Sequence, residues 1–179
     1  MKKKVLVIAT SPRKGGNSEG LADAFVKGAL EAGCDAQKLC LYDKTINFCK
    51  GCLVCLQTGR CVMHDGADDV VQQMRTADVL VFATPIYYYE MSGQMKTMLD
   101  RTNPLYDSDY AFRDIYLLAT AADEEESAIE GAVKGLSGWI ACFPKTKLAV
   151  TVFGGGVDEI GAIRNHPALK RAYEIGRAV

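Results

Sequence analysis

The chain has 179 residues, 49% of them apolar and 24% charged, with a formal net charge of −1. That length suits one well-buried domain and is short for two. Near-neutral charge gives no field for nucleic acid or an anionic membrane, and no apolar segment approaches membrane-spanning length.

The apolar run Val5–Ala9 reads as a buried strand. Lys2–Lys4 before it resemble the start of a signal peptide. The run is too short, Arg13 and Lys14 break any apolar continuation, and a cytoplasmic location is expected. Thr10–Ser18 (TSPRKGGNS) comes next, and Leu21, Ala22, Phe25, Val26, Ala29 and Leu30 then recur at helical spacing. A strand, a Gly-containing turn and a helix N-terminus make an anion site, because the first helical N–H groups lack partners. Ser11, Asn17 and Ser18 add short donors, and Arg13 and Lys14 add charge. The loop is neither G-x-G-x-x-G nor a P-loop. A turn rich in hydroxyls and amides suits a single terminal phosphate. The plainer alternative is a turn followed by an Asn17 or Ser18 helix cap.

Gly33 stops this helix, and Ala36–Tyr42 reads as a second strand nearer an edge. Thr45–His64 shows neither helical nor strand periodicity, and loops of that length are usually functional. Asp68 and Asp69 open the next helix, with Val70, Val71 and Met74 inward. Asp78–Thr84 is the clearest strand, apolar on both faces as in the middle of a parallel sheet, and Pro85 is expected to end it. Ile86–Met91 carries three consecutive tyrosines, and a helix extends from there to about Arg101. Asn103–Arg113 is a second long loop before a strand at Ile115–Thr120. Ala128 to Phe143 marks another helix, and Lys147–Phe153 a fifth strand ending in Gly154, Gly155 and Gly156. Asn165 is expected to cap the last helix, with Pro167 in its first turn.

Five strands alternating with five helices predict one α/β domain over residues 1–179, a doubly wound parallel sheet of order 2-1-3-4-5. Ligands of such sheets bind where the order reverses, outside the carboxyl ends of the first and third strands. Thr10–Ser18 and Thr84–Gly93 (TPIYYYEMSG) meet there. Consecutive tyrosines cannot all face one core. A Pro-rigidified aromatic loop offers a flat surface to a planar ligand, or a contact to a second subunit. Together the two loops predict a planar, phosphorylated cofactor.

SPRKGGNS after the first strand, TPIYYYEMSGQMKTMLDR after the third and the cysteine loop between them resemble the NAD(P)H-dependent FMN reductases of flavodoxin-like fold, and most of all their iron–sulfur flavoprotein branch. The resemblance is weakest in the last fifth of the chain. It implies FMN, with its phosphate on Ser11, Arg13, Asn17 and Ser18 and its ring against Pro85, Ile86, Tyr87 and Tyr88. Ala121, Ala122, Gly154 and Gly155 would close around the ring, with Lys96, Asp100 and Arg101 structural. It also implies a flavin site at a subunit boundary. With Tyr88, Tyr89, Met91 and Asn103–Arg113 too apolar to lie open, a homodimer or a tetramer is expected.

Four of the seven cysteines, Cys49, Cys52, Cys55 and Cys61, are spaced C-x2-C-x2-C-x5-C. Such a run can wrap a [4Fe-4S] cluster. Zinc, which normally draws on two more distant pairs, is a second choice, and free thiols or a labile disulfide a third. Cys34, Cys40 and Cys142 are expected as buried small hydrophobes. His64 and His166 are given no catalytic role.

The reading is an FMN-dependent oxidoreductase with no catalytic side chain of its own. NAD(P)H or a reduced carrier such as ferredoxin donates, and a quinone or flavin accepts. The rivals are an electron carrier with a cluster on the cysteine loop, and a metal-binding regulatory domain without flavin.

Overall fold

The computed structural model describes residues 2–179. Its strands are β1 (Lys4–Ala9), β2 (Asp35–Cys40), β3 (Val79–Tyr87), β4 (Glu90–Met91), β5 (Asp114–Thr120) and β6 (Lys147–Gly154). Its helices are α1 (Asn17–Glu31), α2 (Val54–Thr58), α3 (Gly66–Thr76), α4 (Gly93–Asp100), α5 (Glu130–Ile140) and α6 (Pro167–Arg177). The sheet runs β2-β1-β3-β5-β6, with all of these pairs parallel and β4 paired antiparallel to β3. With β4 set aside, this is the expected order.

Alternation along the strands divides the core in two. Leu6, Ile8, Leu80, Phe82, Ile115 and Leu117 face Val70 and Met74 of α3, Met95 and Met98 of α4, and Leu136 and Ile140 of α5. Val5, Val7, Val79, Val81, Leu118 and Val152 face Leu21 and Phe25 of α1 and Ala168 and Ala172 of α6. Each large side chain so buried contributes about 1.5–3 kcal/mol. Among the described residues no helix is long and apolar enough to cross a membrane.

Several boundaries differ from the sequence reading. β2 stops at Cys40, and Leu41–Asp43 form a 3-10 turn. β3 does not end at Pro85 but continues to Tyr87 and folds back as a hairpin with β4. Pairing of β1 with β3 stops at Ala83, so Pro85 lies where the strand has lost that neighbour and its missing N–H is tolerated. α6 is capped by His166, whose Nδ1 accepts from the Ala168 N–H at 3.1 Å, while Asn165 ends a 3-10 turn. Asn103–Arg113 is not an open loop: Leu105, Tyr110 and Phe112 are buried in the core. Met91 is buried as well. Of the surface expected to need a partner, Tyr88, Tyr89 and Tyr106 remain exposed. Cys34 is buried as expected, but Cys40 is half-buried and Cys142 exposed.

Candidate functional site

The loop after β1 is held from behind. The Thr10 N–H donates to the Ala83 carbonyl at 2.8 Å. The Thr10 hydroxyl lies 3.0 Å from Ser92 Oγ, and Thr84 Oγ1 lies 3.3 Å from the same atom. These three buried hydroxyls fasten the exits of β1 and β3 to the start of α4, where Ser92 Oγ also accepts from the Met95 N–H. On the other side, Glu19 Oε2 accepts from the Gly15 N–H at 2.7 Å and Oε1 from Lys38 at 2.7 Å. Burial alone would push the Glu19 carboxyl up, but Lys38 and the Gly15 N–H outweigh it and hold it below its ordinary value.

Within the loop, Ser11 Oγ accepts from the Arg13 N–H and donates to the Arg13 carbonyl, a serine turn. Gly16 is the residue before α1, and a Cβ there would stand 2.9 Å from Ser11 Oγ and 3.1 Å from the Arg13 carbonyl. No side chain caps α1, so its first amides lack intrahelical partners. The Ser18 hydroxyl, in a residue 1% exposed, is buried with no hydrogen-bond partner.

A cleft of about 130 Å³ opens at this point. Ser11, Arg13, Gly16, Asn17 and Ser18 line one end. Pro85, Ile86 and Tyr87 come from β3, and Thr120, Ala121 and Ala122 from the end of β5. Val157, Asp158 and Ile160 close it from the loop after β6. Nine of the twelve residues expected around a cofactor therefore share one cleft. Tyr88 does not: it is fully exposed at the tip of the hairpin. Gly154 and Gly155 do not line the cleft either. A Cβ on Gly155 would stand 2.8 Å from the Asp123 carbonyl, so this glycine lets the two backbone segments approach. Val157, Asp158 and Ile160 carried no sequence signal beyond their place after a strand.

Asn17 lines the cleft, but its amide is committed elsewhere. Nδ2 donates to the carbonyls of Val157 and Glu159, and Oδ1 accepts from the N–H groups of Gly161 and Ile163. The side chain shapes the opposite wall and has no side-chain N–H left for an anion. Arg13 reaches across to the same segment, with Nη1 3.4 Å from the Asp158 carbonyl.

The cysteine loop lies apart. Within it, α2 forms one short helix between the left-handed residues Leu53 and Gly59. Cys49, Cys52, Cys55 and Cys61 line one cavity of about 20 Å³ with Lys50, Leu53, Val62, Met63 and Asn103. That cavity shares no lining residue with the cleft. Among the described residues no three His, Cys, Asp or Glu side chains converge as ligands of a single ion would. Burial, and the neighbouring sulfur of Cys61, push the Cys55 thiol up. Cys49 Sγ accepts from the Gly51 N–H at 3.4 Å, and Cys61 Sγ from Arg101 Nη2 at 3.3 Å.

Arg101 is structural, as expected, and its side chain is wholly buried against Asp65. Burial would raise the Asp65 carboxyl. The Arg101 guanidinium and the Asn47 and Ala67 N–H groups outweigh it and hold Asp65 well below the usual carboxylate range.

Known proteins resemble this arrangement along most of the chain. An iron–sulfur flavoprotein of Archaeoglobus fulgidus is 38% identical over 101 residues, 56% of this chain and 46% of that protein. The chain spans about half the length of the iron–sulfur flavoproteins it matches. A Bacillus subtilis protein provisionally named as an NAD(P)H-dependent FMN-containing oxidoreductase is 28% identical over 96% of both chains. Among solved structures, the NAD(P)H:quinone oxidoreductase from Methanothermobacter marburgensis shares the fold, with a TM-score of 0.78 at 18% identity over 99% of this chain and 96% of that one. The family model described as NADPH-dependent FMN reductase matches residues 3–151, and the chain belongs to that family.

Proposed function

We propose that the chain is an FMN-dependent oxidoreductase that passes electrons from NAD(P)H, or from a reduced carrier, to a small acceptor such as a quinone or free flavin. The observation that carries this reading is the Ser18 hydroxyl, buried at the cleft without a partner. An unsatisfied buried hydroxyl costs about 1–3 kcal/mol. A ligand oxygen removes that cost, and at a helix N-terminus the favoured ligand is an anion. Gly16, where a Cβ would collide with Ser11 Oγ, lets the loop pack tightly against the start of the helix. Away from this end the cleft walls become Pro85, Ile86, Tyr87, Ala121 and Ala122, flat and mostly apolar. A terminal phosphate joined to a planar ring fits that change of character. FMN, when bound, supplies the redox chemistry; the chain binds it, orients it and shields it from water. Ser18 and the first amides of α1 hold the phosphate, Arg13 balances its charge, and Asn17 holds the far wall.

Calorimetry with FMN and with riboflavin tests the phosphate end, and FMN is expected to bind far more tightly. Equal affinities would reject the assignment. Steady oxidation of NADPH or NADH with a quinone acceptor tests turnover.

A second reading, an electron carrier with a [4Fe-4S] cluster, is favoured by the four cysteines that line one cavity and by the N–H groups donated to two of their sulfurs. The tight C-x2-C-x2-C-x5-C run suits a thiolate-held cluster better than zinc, which normally draws on two more distant pairs. Iron and sulfide analysis of protein made without oxygen decides it. A homodimer is proposed on the exposed Tyr88 and Tyr89, and light scattering with FMN present checks it.

A further inference from the structure

Hydrophobic burial anchors the cysteine loop only at its start, where Ile46 packs on the core, since Phe48, Leu53, Val54, Leu56 and Val62 are all exposed. Two arginines reach into it: Arg75, whose Nη2 donates to the Gly59 carbonyl at 3.4 Å, and Arg101, the first residue after α4. Arg101 Nη1 donates to the Asn47 carbonyl at 2.7 Å and to Asp65 Oδ2 at 2.8 Å. Its Nη2 donates to Asp65 Oδ1 at 2.9 Å and to Cys61 Sγ at 3.3 Å. Asp65 in turn accepts from the Asn47 backbone and side chain and from the Ala67 N–H. One buried charge pair therefore ties together the entry of the loop, its exit and its last cysteine. The geometry needs a planar fork: four bonds leave two nitrogens in fixed directions, which an ammonium cannot reproduce. Arg101 Nε is left buried without a partner, so the side chain accepts an unmet donor to hold this arrangement.

We infer that Arg101 is a positioning residue for Cys61: it presets the fourth thiolate for an iron–sulfur cluster and, by donating an N–H to that sulfur, raises the cluster's reduction potential. This rests on the reading of the four cysteines as cluster ligands. Groups that hydrogen-bond a metal ligand fix its orientation, and hydrogen bonds and charge at the sulfurs set cluster potentials.

The test uses the full chain expressed without oxygen, as wild type, as Arg101→Lys, and as the double variant Asp65→Asn with Arg101→Gln. The double variant leaves no buried charge unpaired if the single one fails to fold. Iron and sulfide content, iron loss to a chelator, cluster midpoint potential, FMN affinity, and hydrogen exchange of residues 47–63 in metal-free protein are measured. Both variants are expected to lose iron about tenfold faster or more, to shift the potential downward and to exchange faster across the loop, with FMN affinity unchanged. A loaded wild type, with iron retention, potential and exchange unaltered in both variants, overturns the inference alone. Losses that track a loss of FMN overturn it too, because they report general unfolding. A wild type without iron and sulfide removes the cluster reading and the positioning role with it.

Discussion

At the cleft, three of the four loops leave the carboxyl ends of β1, β3 and β5, strands paired on both sides, and the fourth follows the edge strand β6. Their first residues inherit the precision of the sheet. Thr10, Thr84 and Ser92 then join two of them by buried hydroxyls. The cysteine loop has no such inheritance. It starts after an edge strand and a 3-10 turn, exposes most of its large apolar side chains and has only α2 as regular structure. Its strongest ties are one buried guanidinium and one carboxylate, with Arg75 donating to Gly59 and Ile46 packed on the core beside them. The contrast separates two ways of fixing a functional loop: many weak constraints supplied by a sheet, or a few strong polar ones supplied by a single ion pair. The first tolerates the loss of any one bond. The second does not.

Arg101→Met should therefore be the most damaging change. It leaves the Asp65 carboxylate buried and unpaired, at a cost of about 3–5 kcal/mol. Denaturant unfolding of the metal-free protein measures this, and a loss under about 1 kcal/mol would show that the pair does not hold the loop. The same pair sets an acid limb. Asp65 is held below its unfolded value, so its contribution is complete above the ordinary carboxylate range. It is lost as the pH falls through the folded value. Glu19 behind the phosphate loop is lowered in the same direction. Stability should thus fall progressively below about pH 4, and Asp65→Asn should flatten that fall more than Glu19→Gln does.

At the cleft the effects should be smaller and should separate binding from folding. Ser18→Ala removes a hydroxyl that has no partner in the free protein. Unfolding should be unchanged or slightly harder, whereas FMN should bind more weakly by about 1.5–3 kcal/mol, the worth of a hydrogen bond to a charged group. Riboflavin affinity should not move. Asn17→Ala should behave differently, because its amide holds the wall at Val157–Ile163. It should cost about 2 kcal/mol of stability and weaken FMN and riboflavin together. If Asn17→Ala instead spared stability and discriminated between the two ligands, Asn17 would be a phosphate ligand after all.

The same contrast explains what the sequence disclosed. β1 and β3 were legible because both their faces are buried, which leaves an uninterrupted apolar run. The phosphate loop was legible because strand, turn and helix lie next to one another in sequence. The role of Asn17 was not, since its four partners lie at least 140 residues further on. The Asp65–Arg101 pair was hidden for the same reason, with its partners 36 positions apart and no local periodicity. Asn103–Arg113 was expected to need a partner's cover because Leu105, Tyr110 and Phe112 enter the chain's own core from a 3-10 turn and irregular backbone, which have no long period to detect. Gly154 and Gly155 resemble ligand contacts in sequence, yet Gly155 serves close approach of backbone, Gly154 makes room for the Ile163 side chain, and the cleft is left to the residues beyond them.

The smallest effect is expected at the hairpin tip, and there the sign is the test. Tyr88 and Tyr89 have φ of +49° and +63°, the left-handed region that asparagine and glycine normally occupy in such turns. A non-glycine residue in that region carries roughly 1–2 kcal/mol of strain. Tyr89 has a compensating bond, its hydroxyl donating to Asp123 Oδ2 at 3.3 Å. Tyr88 is 100% exposed and gains nothing within the chain. Tyr88→Gly should then stabilise the isolated subunit by under about 1 kcal/mol, since relief of strain exceeds the added freedom of the unfolded glycine. Strain kept at an exposed aromatic needs a return elsewhere, and packing against a second copy would supply it. Unfolding at two protein concentrations distinguishes the cases. With an association that uses Tyr88, the wild-type midpoint rises with concentration and that of Tyr88→Gly rises less. Equal concentration dependence in the two proteins would leave the tyrosine strained for some purpose other than assembly, and the dimer would have to be sought on another face.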